Sequence, residues 1–556
     1  MGDDRSMPGD LYYGDNLDVM RSRLASESVD LIYLDPPFNS DKTYNLIHKE
    51  SKARERAFFD TWNWDDSAER AYAELTGRAP QGIRVPDRLS TLIRLLKDFL
   101  GPEQRDTMAY LAMMAIRLVE MRRVLRPTGS IYLHCDPTAS HYLKLILDAI
   151  FGHDCFRNEI IWRYRRWPTK ARRFQRMHDV LLFYTARRDN DHVFETLYGY
   201  EKLADSTLKT FGTKKQKADF SSGHRKPSVE SGETKGPPLS DFWDVEDVQA
   251  NGFPLSDAWE VGVIAPIGKE RTGYPTQKPE KLLERVIRAS SRPGEVVLDP
   301  FCGCGTAIVI AEKERRVWIG IDVAIRAIDL VKDRLDKTFP GKRVWTEYGE
   351  PSEVDAASRL AETNAHDFQW WAVRKLGGQP PTGNKKGRDG GIDGEMTLRD
   401  FDSEKRRRVI ISVKGERNLH PDSVKALETT VDMEKADYGI LVTMNEPSQR
   451  MRNVARECGP VPWASAQDGR IGHRIRIITV PELLAGTVQL PGRKETPRGQ
   501  SSPARSASSS LDPGPDGTSA EGGVVRRDEP GEVEFRRRTR PVASTVVASA
   551  DVGHRA

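Results

Sequence analysis

An apolar run of strand length, Val29-Asp30-Leu31-Ile32-Tyr33-Leu34, ends at Asp35 and is followed at once by Pro36 and Pro37. Neither proline has an amide hydrogen to give to a ladder, so a strand has to stop there. A second stop of this kind lies far along the chain. Val297-Leu298 leads into Asp299-Pro300-Phe301-Cys302-Gly303-Cys304-Gly305-Thr306, which opens a helix. Around these runs the pattern alternates. Helices are expected over 108–125, 140–151, 280–290 and from 306, and strands over 130–134, 295–298 and 316–321; 58–101 reads as mostly helical with a loop near 78–86. Alternation of this sort predicts an α/β fold with a parallel sheet.

The chain has 556 residues, enough for three or four units of ~150 each. Lys+Arg number 86 against Asp+Glu 82, a net charge of only +4, so any footprint for nucleic acid must be local. Five cysteines cannot build a disulfide framework, which suits a reducing, cytoplasmic setting. The acidic start Met1–Asp10 has no apolar core and does not read as a signal peptide. No apolar run approaches the ~20 residues of a membrane helix, so no membrane role is expected.

Organisation follows composition. Basic and aromatic residues interleave over 163–176, and 200–260 is poor in periodicity. A linker is expected over 341–356. A second, smaller α/β unit is expected over 357–490, with a helix at 359–376 and strands at 392–398, 409–413, 438–443 and 474–479. The tail 491–556 is rich in Ser, Pro, Gly and Arg, cannot bury enough apolar surface to offset its ordering entropy, and is expected to be disordered.

Two clusters carry chemistry. At the first, the Asp35 carboxylate and the Pro36 carbonyl are both acceptors, Pro37 stiffens the turn, and Phe38 offers a flat apolar face. Such a set suits a substrate that presents an NH2 group on a ring. At the second, Gly303 and Gly305 let a ligand approach the backbone, and Thr306 suits a helix cap. Asp322 ends the next strand, 19 residues past Gly303, where an acidic side chain meets a ribose diol in nucleotide-binding βαβ units. An Asp before the glycines and no dedicated phosphate cradle favour a cationic nucleoside over a pyrophosphate. His134-Cys135-Asp136 with His141 lacks a second Cys/His pair at ligand spacing, so no metal site is expected there.

Together the clusters resemble the S-adenosylmethionine (SAM)-dependent amino-methyltransferases of DNA. The catalytic motif precedes the cofactor motif, an order that looks like the circularly permuted beta class, with a Rossmann-like sheet. The resemblance covers about 10–340. It implies target recognition over about 163–260, with Arg163, Arg165, Arg166, Lys170, Arg172 and Arg173 on DNA phosphates. Gly14-Asp15-Asn16 looks like the adenine-contacting segment, and Tyr274–Pro279, with Lys278, like the segment that closes over the methionine end. Asp15, Lys278, Asp299, Phe301, Gly303, Gly305, Thr306 and Asp322 would bind the cofactor, and Asp35, Pro36, Pro37 and Phe38 would form the catalytic site. The base would have to be flipped out of duplex DNA. Asp at the first catalytic position leans towards N6 of adenine, with N4 of cytosine the alternative. None of the five cysteines follows a proline, which argues against C5-cytosine chemistry.

In the second unit, Asp389–Gly394 followed by Ile410–Lys414 resembles Mrr-type restriction endonucleases of the PD-(D/E)XK fold. Asp393 and Lys414 match a metal-binding Asp and a catalytic Lys. Ser412 and Gln369 stand where that family has acidic or amide side chains, which leaves one carboxylate unless Glu395, Glu404 or Glu416 compensates. An active, Mg2+-dependent nuclease, a DNA clamp and a fold kept for packing remain open. The expectation is a site-specific adenine methyltransferase acting on double-stranded DNA in restriction–modification or phage defence, with a homodimer, a bifunctional methyltransferase/endonuclease and a non-catalytic DNA-binding protein as further readings.

Overall fold

Val29–Leu34 is buried at every position, as an apolar strand closed by two prolines should be. It is one of nine strands in the main sheet of the computed structural model. The structure describes residues 8–37, 42–47, 54–60, 63–78, 84–164, 172, 174, 177–198, 208–209, 213–219, 226–235, 242–243, 270–272, 274, 276–342, 344–379, 391–400, 405–416, 419–461 and 473–494. In chain order the strands are β1 (Gly9–Tyr13), β2 (Val29–Leu34), β3 (Lys42–Ile47), β4 (Arg54–Asp60), β5 (Leu125–Cys135), β6 (Phe156–Arg163), β7 (His178–Thr185), β8 (Lys214–Asp219), β9 (Lys226–Glu233), β10 (Phe242–Trp243), β11 (Val296–Asp299), β12 (Val317–Asp322) and β13 (Trp345–Tyr348). A smaller sheet holds β14 (Gly394–Arg399), β15 (Arg406–Lys414), β16 (Tyr438–Thr443), β17 (Ile475–Thr479) and β18 (Arg493–Lys494).

The main sheet runs β10-β6-β7-β5-β2-β11-β12-β1-β13. From β5 to β13 all neighbours are parallel, while β7 lies antiparallel between β5 and β6. Alternate side chains of β2 enter different cores. Val29, Ile32 and Leu34 join the helices Asp87–Leu100, Arg105–Val124 and Ser140–Phe151 on one face. Leu31 and Tyr33 join Glu280–Ser290, Thr306–Lys313 and Ile325–Thr338 on the other. From β2 the chain winds outward to β5; from β11 it winds the opposite way to β12. The sheet is therefore doubly wound, and β2 and β11 flank its switch point, where open α/β sheets bind ligands.

Several expectations change. Residues 58–60, read as helical, belong to β4, paired antiparallel with β3. The single helix over 359–376 is two, Val354–Thr363 and Ala365–Leu376, because the Asn364 side chain accepts from the Asp367 amide and caps the second. The stretch 341–356 contains β13, whose Trp345 is buried on the sheet edge beside β1. The stretch 163–260 contains β7, buried among the core strands. Arg493 and Lys494, at the start of the expected tail, pair with β14. The rest of that tail, 495–556, lies outside the described residues. No helix among the described residues is long and apolar enough to cross a membrane.

Candidate active site

β2 and β11 lie side by side, and an aspartate stands at the carboxyl end of each. Asp35 follows β2, and Asp299 closes β11. With Asp322 at the end of β12 they border a cavity of about 340 Å³, also lined by Asp15, Asn16, Pro36, Pro37, Tyr274, Lys278, Phe301, Gly303 and Thr306. Sequence reasoning thus placed Asp15, Asp35, Pro36, Pro37, Lys278, Asp299, Phe301, Gly303, Thr306 and Asp322 around one space. Phe38 lies outside the described residues.

Among the described residues the cavity is lined by four aspartates, Asp15, Asp35, Asp299 and Asp322, and by two cations, Lys278 and Arg117. Burial pushes the Asp299 carboxyl well above the usual range, helped by the charges of Asp35 and Asp322 and opposed by the Phe301 amide, which donates to it at 3.2 Å. Burial raises Asp322 to about 6, although the amides of Ala324 (2.9 Å) and Gly303 (2.8 Å) donate to its two oxygens. The Lys278 ammonium donates to Asp35 Oδ2. Asp35 Oδ1 is buried with no hydrogen-bond partner among the described residues. A buried acceptor left alone costs ~1–3 kcal/mol, so this atom is held open at a price in stability.

Gly303 lines the cavity, Gly305 does not, and Thr306 is not the helix cap. Gly305 has φ +71° and occupies the cap position of the helix Thr306–Lys313. Thr306 is the first helical residue; its hydroxyl donates to the Lys278 carbonyl (3.2 Å) and accepts from Arg334 (2.9 Å), tying the Lys278 segment to the glycine loop. Gly303 has φ +49°, and a Cβ there would stand 3.3 Å from the Tyr274 ring.

Three contributors escaped the sequence. Arg117 donates to Asp15 Oδ2 (2.6 Å) and Asn16 Oδ1 (2.7 Å), and Asn16 donates to the Pro300 carbonyl (2.7 Å). Arg117 had a signal: it is the lone charge in the apolar stretch 107–119. Val323 is 61% exposed yet lines the cavity, an apolar contact beside the acidic Asp322. Behind β2, Tyr33 Oη meets His134 Nδ1 (3.0 Å), His134 Nε2 meets Asp179 Oδ2 (3.4 Å), and Tyr164 donates to Asp179 Oδ1 (2.8 Å). His134 is therefore used within a buried polar chain.

Of the basic residues expected on DNA, Arg163 is exposed at the end of β6 and Arg172 is exposed; Arg165, Arg166, Lys170 and Arg173 lie outside the described residues. In the second unit, Asp393 Oδ2 accepts from the Val413 amide (2.6 Å) and the Ser412 hydroxyl (3.4 Å). Lys414 and Ser412 line a separate cavity of about 280 Å³. Glu395 does not compensate, because Arg408 holds it at 2.8 Å. Glu416 is exposed, and Glu404 lies outside the described residues. Among the described residues no three His, Cys, Asp or Glu side chains converge here.

The doubly wound sheet thus carries an acidic cavity at its switch point, where open α/β sheets bind ligands. The chain belongs to the DNA methylase family of N6 and N4 methyltransferases, whose model matches residues 29–333. Residues 365–485 match a NACHT-associated inactive restriction endonuclease. The chain is 30% identical over 224 residues to the type II methyltransferase M.HpaI of Haemophilus parainfluenzae, covering 40% of this chain and 59% of that one. It is 27% identical over 302 residues to the type II methyltransferase M.EcaI of Enterobacter cloacae, covering 47% and 65%. It is 25% identical over 329 residues to the DNA adenine methyltransferase YhdJ of Escherichia coli K12, covering 59% and 82%. The chain thus spans less than two thirds of the length of the first two relatives.

Proposed function

We propose that this chain transfers a methyl group from SAM to the exocyclic N6 amine of adenine in double-stranded DNA. The observation that carries the reading is Asp35 Oδ1, a buried acceptor without a partner among the described residues, at the edge of an acidic cavity. An NH2 group supplies the missing donor.

The residues fit SAM. A sulfonium-bearing nucleoside carries positive charge and a ribose diol but no phosphate. Beside Asp35, kept for the substrate amine, the cavity offers carboxyl groups at Asp15, Asp299 and Asp322 and, among the described residues, no cluster of arginines. Asp322 would take the ribose hydroxyls, Asp15, Asn16 and Val323 the base, and Gly303, Gly305, Phe301 and Thr306 would shape the loop beneath. When bound, SAM supplies an electrophilic methyl group. Asp35 Oδ1 and the Pro36 carbonyl accept the two amine hydrogens, which points the nitrogen lone pair at that methyl and stabilises the positive charge that develops on nitrogen. Pro37 holds the turn rigid and Phe38 stacks on the extruded ring. No covalent intermediate is needed, and burial pushes the thiols of Cys302, Cys304 and Cys135 up, away from nucleophilic use.

The motif order supports a permuted beta-class arrangement. Asp at the first catalytic position favours adenine over cytosine N4, and a relative is a DNA adenine methyltransferase. The type II relatives and the endonuclease-like unit support a role in restriction–modification or phage defence, with the basic residues 163–173 on the phosphates. The test is to incubate the protein with unmethylated duplex DNA and labelled SAM and identify the labelled nucleoside. N6-methyladenine is expected; N4-methylcytosine would overturn the choice of base.

A further inference from the structure

The second unit packs directly behind the cofactor cavity. Alternate residues of β15 face opposite sides of the smaller sheet: Ile410 shares a core with Val424 and Val431, while Val409, Ile411 and Val413 share one with Phe368, Trp371 and Ile325. Ile325 does not belong to the second unit. It opens the helix after β12, two residues past Val323, and is fully buried in the other unit's core. The next residue, Arg326, sets its guanidinium 4.2 Å from the centre of the Trp370 ring. One turn on, Asp329 accepts from Trp370 Nε1 (3.2 Å) and pairs with Arg374.

A second cavity-lining segment is gripped from the same helix. Tyr13, which pairs with Asp322 in the β1–β12 register, packs on the same core, and burial together with the Asp367 charge pushes its phenol up. Immediately after it, Gly14 donates to the Asp322 carbonyl at 3.0 Å, and Asp15 and Asn16 line the cavity. Both segments assigned to the nucleoside, Asp15–Asn16 and Asp322–Ala324, therefore lie within two residues of one that packs against the core of the helix Ala365–Leu376.

We propose that the endonuclease-like unit is a structural part of the methyltransferase cofactor site, with Asp367 and Trp370 as positioning residues that set the two nucleoside-binding segments. The packing surface of this unit then serves a neighbouring reaction, whatever the unit does by itself. The proposal rests on the reading of the cavity as a SAM site.

The experiment is calorimetric titration of SAM into the full chain, alongside SAM KM and kcat on duplex DNA. Trp370→Ala and Asp367→Asn are expected to weaken SAM binding about tenfold, with kcat at saturating SAM within about twofold of wild type. Trp370→Phe, which keeps a ring over Arg326, recovers most of the affinity. Val431→Ala, in the core on the far face of β15, is the control for general loosening and leaves SAM binding unchanged. Unchanged affinity in Trp370→Ala and Asp367→Asn with native circular dichroism overturns the proposal, as does an equal loss in Val431→Ala. If wild type binds no SAM, the cofactor reading itself fails and takes this inference with it.

Discussion

Asp35 accepts from Lys278 through one oxygen and, among the described residues, keeps the other open, so on the proposed function Lys278 orients the carboxylate that holds the amine. Lys278→Met should lower kcat by about 100-fold, the scale of a small misplacement of a reacting group, with Lys278→Arg recovering part of it. Asp322 gives a pH dependence. Its buried carboxyl titrates near 6, above the ordinary 3.8, while a bound ribose diol and sulfonium favour the ionised form. Binding must then release a proton below pH 6. SAM affinity is expected to be flat from pH 7 to 8 and to fall by up to about tenfold per unit as pH drops below 6, with Asp322→Asn removing the slope. In the free protein the same shift acts the other way: the folded state holds the proton more tightly, so stability decreases as pH rises from the usual carboxylate range through 6. Titration of SAM at several pH values checks the first sign, and chemical denaturation of the ligand-free protein across the same pH range checks the second.

At the level of elements, the turn after β11 depends on Gly305. Its φ of +71° is left-handed, and a Cβ there would lie 2.8 Å from Val331. Gly305→Ala should destabilise the protein by about 1–3 kcal/mol in chemical denaturation. Elements of this kind were legible in the sequence because their signals are local. The prolines after Leu34, the glycines after Asp299 and the long apolar helix ending near Leu125 each announce themselves within a few residues. β7 did not, since a strand buried on both faces shows no alternation and its neighbours are a basic stretch. The break at Asn364 was missed because one cap residue between two helical patterns looks continuous. Thr306 was misassigned because a threonine at a helix start is equally a cap or a tie, and only the partner atoms decide.

Across the whole molecule, sequence reasoning brought most of the cavity together but treated the two units as separate. The contacts of Ile325, Tyr13 and Asp329 with the second unit are long-range, between residues whose own segments read as complete. The charge balance of +4 likewise hides local basic residues. Neutralising Arg165 and Arg166 together should weaken DNA binding and reduce the salt slope by roughly 2, measured by binding isotherms at several salt concentrations; an unchanged slope would place DNA elsewhere. The central claim is that Asp35 carries methyl transfer in a site that binds SAM independently of it. The most direct measurement is transfer of labelled methyl groups from SAM to unmethylated duplex DNA by wild type and Asp35→Asn, with SAM binding measured on both. The account predicts near-wild-type SAM affinity in the variant and no transfer above background. Transfer by Asp35→Asn at the wild-type rate, or none by wild type, would contradict it.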